Sequence, residues 1–72
     1  MDSIQVKLGQ IGQRTIETTL AGGATVADLA RQENLETAGY QFKVNGAPAD
    51  LNTVLGDEDL VVRVAALKGG SN

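Results

Sequence analysis

Apolar and polar residues alternate along the first stretch of the chain. Across 3–9, Ile4, Val6 and Leu8 fall on one side and Gln5 and Lys7 on the other. Period two predicts a half-buried strand. Gly9 and Gly12 supply turn conformations. The β-branched run 13–20, with Ile16 and Leu20 pointing inward, then reads as the second strand of a hairpin. After Gly22-Gly23 the period changes. Thr25 is placed as an N-cap, and Asp28, three residues on, is a near-match to a capping box. Val26, Leu29 and Ala30 fall on one helical face, with Asp28, Arg31, Gln32 and Glu33 toward water. A helix of roughly ten residues is marginal alone and needs a sheet to lie on. Leu35 is expected to fold back under it.

Alternation resumes at Tyr40, Phe42 and Val44 against Gln41 and Lys43, and Asn45-Gly46 is a hairpin turn signal. Pro48 has no N–H to give to a ladder, which confines 47–50 to an edge or a loop. Residues 51–55 are expected to hold a very short strand with Leu51 and Leu55 tucked inward, followed by an acidic turn. The run 60–67 is apolar on both sides. Leu60, Val62, Val64 and Ala66 share one face, and Val61, Arg63 and Ala65 share the other. A strand apolar on both faces belongs in the centre of a sheet. It is expected beside the first strand and parallel to it, the chain between them supplying the crossover. These elements predict an α+β fold: one mixed sheet of four to five strands with a single helix packed across it. The expected core is Ile4, Val6, Ile16, Val26, Leu29, Phe42, Val44, Leu55, Leu60 and Val62.

Composition narrows the chemistry. Seventy-two residues allow one domain, and a chain this short buries only roughly 60% of its unfolded surface. There is no cysteine and no histidine, which removes thiolate nucleophiles, disulfides, the commonest general base and the commonest zinc ligand. An enzyme in its own right is therefore not expected, nor is a bound cofactor. Net charge is −3, and the six basic residues (Lys7, Arg14, Arg31, Lys43, Arg63 and Lys68) form no cluster. With one Tyr, one Phe and no Trp, this argues against nucleic-acid binding. No apolar run approaches the ~20 residues of a membrane span, and no signal peptide is read at the start. The expected location is the cytoplasm.

The order of elements, together with Val44-Asn45-Gly46, the spaced set Leu55, Asp57, Asp59 and Val61, and Gly69-Gly70 soon after the last strand, resembles the β-grasp fold of ubiquitin-like proteins. It is similar in particular to bacterial ubiquitin-like modifiers and to the sulfur carriers of molybdopterin and thiamine synthesis. The resemblance covers Ile4 to Gly70. It implies a β-grasp roll over 1–67 and a flexible tail over 68–72. It also implies that the Gly70 carboxylate is the reactive group. An activating enzyme would adenylate it with ATP, and a conjugating enzyme would pass the protein to a target. Sulfur carriers end on the second glycine, whereas here Ser71-Asn72 follow. The resemblance therefore favours a precursor trimmed between Gly70 and Ser71 by a JAB-type protease.

Two other functions stay open. One is a sulfur carrier, whose Gly70 becomes a thiocarboxylate. The other is a non-covalent module like the TGS domains linked to RNA synthetases, which lack a di-glycine end. For the tail, the plain alternative is a frayed Gly/Ser end or an expression remnant. Ubiquitin presents an exposed apolar patch on its sheet. Here Lys43 stands at the corresponding outward position, so a mixed recognition face is expected. Its candidates are Lys43, Val61, Arg63, Ala65, Leu67 and Lys68, with Arg63 an exposed charge of little weight in folding. Asp57-Glu58-Asp59 reads as a solvated acidic turn without calcium-loop spacing, and Gly22-Gly23 as a helix-entry loop without a phosphate-loop pattern.

Overall fold

A computed structural model describes residues 2–10 and 12–65. Strand β1 (Ser3–Gln10) pairs antiparallel with β2 (Ile16–Ala21), and helix α1 (Val26–Gln32) follows. Strands β3 (Tyr40–Val44) and β4 (Ala47–Ala49) form a second hairpin, and β5 (Leu60–Ala65) closes the sheet. The strand order is β2-β1-β5-β3-β4, with β5 parallel to β1 and antiparallel to β3. The last strand is thus central, as its two apolar faces require. Among the described residues, no helix is long and apolar enough to cross a membrane.

The helix is seven residues long and tightly tied at its start. Asp28 N–H donates to Thr25 Oγ1 (3.3 Å) and Thr25 N–H donates to Asp28 Oδ2 (2.9 Å), a complete capping box despite the short aspartate. That Thr25 N–H holds the Asp28 carboxyl below the ordinary aspartate value, opposed by partial desolvation and aided by the Thr25 hydroxyl and the Arg31 charge. The loop after β4 serves the same helix end. Val26 N–H donates to the Thr53 carbonyl and Ala27 N–H to the Leu51 carbonyl, each at 3.0 Å. Two of the N–H groups that a helix start leaves open are satisfied in this way. Residues 51–55 form no strand, only a single bridge between Val54 and Thr25. Leu55 is buried as expected, but Leu51 is exposed, because this segment contributes its carbonyls rather than its side chains.

The core lies between the helix and one face of the sheet. It comprises Val6, Leu8, Leu20, Ala24, Val26, Leu29, Ala30, Phe42, Leu55 and Val61, with Ile4, Leu35, Tyr40, Val44 and Ala49 packed at its margin. Three expected core residues are not in it. Ile16 is exposed at the hairpin end of the edge strand β2. Leu60 is exposed and Val62 only half-buried, because the other face of β5 meets the helix. Val61 pairs with Leu8 on one side and Val44 on the other, and it is completely buried.

The spaced acidic segment has a structural task. Gln5 N–H donates to Asp57 Oδ1 (2.9 Å), Glu58 N–H to the Gln5 carbonyl (2.6 Å) and Lys7 N–H to the Asp59 carbonyl (2.9 Å). Asp59 accepts from Gly56 N–H through Oδ2 (2.7 Å) and from Asn45 Nδ2 through Oδ1 (2.9 Å). Asn45 in turn accepts from Leu60 N–H through its side chain (3.0 Å). The Asn45-Gly46 turn, with φ of 53° and 87°, is therefore bolted to the acidic turn that starts β5.

Candidate functional site

Side chains of directly paired residues share a face of a sheet. Leu60 pairs with Lys7, Val62 with Gly9 and Lys43, and Val64 with Gln41. These residues occupy the face turned away from the helix. A column of three apolar residues therefore runs down the central strand, with Lys7 beside it on β1 and Lys43 on β3. Leu60 is 38% exposed, Val62 and Val64 are half-buried, and both lysines are exposed. The outward face has an apolar centre flanked by Lys7 and Lys43, with the exposed Glu17 paired beside Lys7 on β2.

This changes the expected recognition face. Lys43 lies on it. Val61 does not: at 0% exposure under the helix it is core and unavailable to a partner. Arg63 and Ala65 follow Val61 in period two and lie on the helix side, opposite Lys43. Ala65 is exposed at the strand's end. Leu67, Lys68, Gly69, Gly70 and Ser71 lie outside the described residues. Leu60, Val62, Val64 and Lys7 are the members of this face that sequence reasoning assigned elsewhere or passed over. The signal for them was present in Lys43, whose partner across β3 and β5 had to be an outward residue.

Arg63 is not an exposed charge either. Its Nε and Nη2 donate to Gln10 Oε1 (3.1 and 2.8 Å), and Nη1 donates to the Glu36 carbonyl (2.7 Å). The guanidinium carbon lies 3.9 Å from the centroid of the Tyr40 ring, within cation–π range. The expectation that its charge has little weight in folding is therefore corrected. The residue joins the end of β1, the loop before β3 and the Tyr40 ring.

No protein-family model matches the chain, and no curated protein matches it by sequence. Solved structures do match its shape. The Haloferax volcanii HVO 2177 protein is 20% identical with a TM-score of 0.77, over 94% of this chain and 88% of that one. Caldiarchaeum subterraneum ubiquitin is 18% identical with a TM-score of 0.68, over 96% and 100%. Small archaeal modifier protein 1 of H. volcanii is 15% identical with a TM-score of 0.74, over 89% and 99%. All three are archaeal, so they do not single out the bacterial kind of modifier. The helix across one face of a five-stranded sheet, the parallel central pair and these likenesses lead to one assignment: the chain has the β-grasp, ubiquitin-like fold.

Proposed function

We propose that the chain is a ubiquitin-like protein modifier, made as a precursor and trimmed after Gly70. The observation that carries this reading is the position of Gly69-Gly70. The pair begins four residues beyond Ala65, the end of the central strand of a β-grasp sheet. Two of the structures it resembles are named as a ubiquitin and as a modifier protein, which supports the same reading.

The chemistry asks little of the chain itself. In this sequence the Gly70 carbonyl is tied to Ser71 by a peptide bond. A JAB-type protease hydrolyses that bond and leaves a carboxylate. The carboxylate attacks the α-phosphate of ATP on an activating enzyme, and pyrophosphate leaves. A thiolate of the activating enzyme attacks the resulting acyl-adenylate and AMP leaves. A thiolate of the conjugating enzyme then takes the acyl group and frees the first thiolate. An amine on the target finally displaces the thiolate. Without Cys or His, the chain contributes an acyl group and a docking surface while its partners supply the catalysis. Glycine suits the role because a side chain at 69 or 70 would obstruct entry into a narrow channel, and glycine keeps the backbone angles open. For docking, the outward column Leu60, Val62 and Val64, flanked by the Lys7–Glu17 pair and by Lys43, fits an apolar partner surface with a rim of mixed charge.

The test is the intact mass of the protein recovered from its native cell. Loss of Ser71-Asn72 and attachment to other proteins through Gly70 is the expected result. A trimmed chain carrying one sulfur in place of oxygen would mark a sulfur carrier instead, and an untrimmed, unattached chain would overturn the reading.

A further inference from the structure

Of the four asparagines, Asn34, Asn45, Asn52 and Asn72, only Asn45 precedes a glycine. In such a pair the glycine nitrogen can attack the asparagine side-chain carbon, because no Cβ crowds its approach. Around Gly46 the way is open. The residue is exposed, and a Cβ built on it would meet nothing within 4 Å.

The asparagine side of the reaction is not open. Asn45 Oδ1 accepts from Leu60 N–H (3.0 Å), and Asn45 Nδ2 donates to Asp59 Oδ1 (2.9 Å). The Asn45 backbone N–H donates to the Leu60 carbonyl (2.8 Å). Both polar atoms of the side-chain amide are thus engaged toward β5, while the chain leaves Gly46 for β4, on the opposite side of β3. Asp59 is anchored in turn by Gly56 N–H (2.7 Å). Ring closure has to break the two amide bonds first, and the one to the Asp59 carboxylate is the stronger, being charge-assisted.

We infer that Asn45 is a deamidation site held in check by Asp59, and that its reaction unlocks the start of β5. Hydroxide takes the Gly46 amide proton. The nitrogen forms a bond to Asn45 Cγ, the Cγ–Nδ2 bond breaks, and Nδ2 leaves as ammonia. One water then opens the five-membered imide at either carbonyl, leaving aspartate or isoaspartate at position 45. No electrons are gained or lost. Either product has lost the Nδ2 donor and turns a carboxylate toward Asp59, where like charges repel. Isoaspartate also adds a methylene to the backbone of a two-residue turn whose length sets the β3–β4 register. Because ammonia is lost, the change runs one way. A chain whose Asn45–Asp59 contact opens for long enough cannot close it again. The site is independent of the tail and of the modifier reading.

The test is peptide mass mapping of the full chain after incubation at mildly alkaline pH, scoring amide-to-acid conversion at position 45. The parent in urea gives the unprotected rate, and the folded parent is expected to convert far more slowly. Asp59→Ala is expected to convert about tenfold faster than the folded parent, the worth of one charge-assisted bond. Val61→Ala weakens the core but leaves the Asn45 bonds in place, and its rate is expected to stay near the parent's. Asp59→Asn, which keeps an acceptor without the charge, should fall between the parent and Asp59→Ala, and it serves as the test if Asp59→Ala does not fold. No conversion in urea overturns the site. Rates in the Asp59 variants equal to the parent's, or an equal acceleration in Val61→Ala, overturn control by Asp59, the latter by showing that global unfolding governs the reaction. Asn45→Asp, which carries one product, is expected to lower the urea midpoint about as far as Asp59→Ala does. An unchanged midpoint overturns the unlocking of β5.

Discussion

Val61 and Val62 are adjacent in the same central strand, and they offer a controlled test of which face of β5 is inside. Val61 is fully buried between Leu8 and Val44, while Val62 is half-buried on the outward face. Replacing either by alanine removes the same two methyl groups and the same strand propensity, which spans about 1 kcal/mol across all residue types. The difference between the two variants therefore isolates burial. For Val61→Ala, two methyl groups at about 0.8 kcal/mol each are lost from the core, and an unfilled space adds to this, giving about 2–3 kcal/mol. For Val62→Ala the loss should stay below about 1 kcal/mol, since the site is open and can be refilled by water. A domain of this length has a total stability of only about 4–11 kcal/mol. Each kcal/mol moves Tm by about 4–8 °C in so small a domain. Val61→Ala should then melt about 8–24 °C lower than the parent, and Val62→Ala less than about 8 °C lower. Urea unfolding followed by far-ultraviolet circular dichroism reads the same difference. Equal costs, or a larger cost at Val62, would show that the register and the core assignment are wrong.

Thr25→Ala removes the helix cap and should cost about 0.5–2 kcal/mol in the same assay. Because the folded Asp28 carboxyl lies below its ordinary value, its contribution is complete above that ordinary value and is lost as pH falls through the folded one. The urea midpoint of the parent should therefore fall more steeply on acidification than that of Asp28→Asn, and parallel curves would refute the linkage. Asp59→Ala strips the Gly56 N–H and Asn45 Nδ2 of their acceptor and should cost about 1–3 kcal/mol, with faster amide exchange at Gly56. Arg63→Ala should cost roughly 1–2 kcal/mol through its lost charge-assisted bonds, and a melting temperature equal to the parent's would return Arg63 to the surface.

Strands β1, β2, β3 and β5, the helix, the capping box and the central place of β5 were legible in the chain because each depends on local pattern. The short strand expected in 51–55 did not form. Ile4, Val6 and Leu8 alternate against polar neighbours, and Thr25 and Asp28 have the spacing a cap needs. The facing of β5 was not legible. Leu60-Val61-Val62 is apolar at every position, so parity separates two sets without saying which meets the helix. Arg63 then pointed the wrong way. A long side chain near a strand's end can carry its charge to the rim while the residue two before it is buried. Here the guanidinium reaches Gln10 and the Glu36 carbonyl while Val61 lies under the helix. The cue that outweighs it is non-local. Phe42 and Val44 face inward, and their cross-strand partners on β5 are Arg63 and Val61, a register no local window contains. Leu51 misled for a similar reason, since its backbone carbonyl, not its side chain, is what the helix uses.

The central claim is that Gly70 must be a free carboxylate for this fold to work as a modifier. ATP–pyrophosphate exchange with the cognate activating enzyme, comparing the full chain with the chain ending at Gly70, tests it directly. An amide carbonyl has no free carboxylate oxygen to attack the α-phosphate, so exchange is expected only from the shortened chain, and Gly70→Ala in that chain should suppress it. Equal exchange from both chains, with no trimming seen by mass, would contradict the claim.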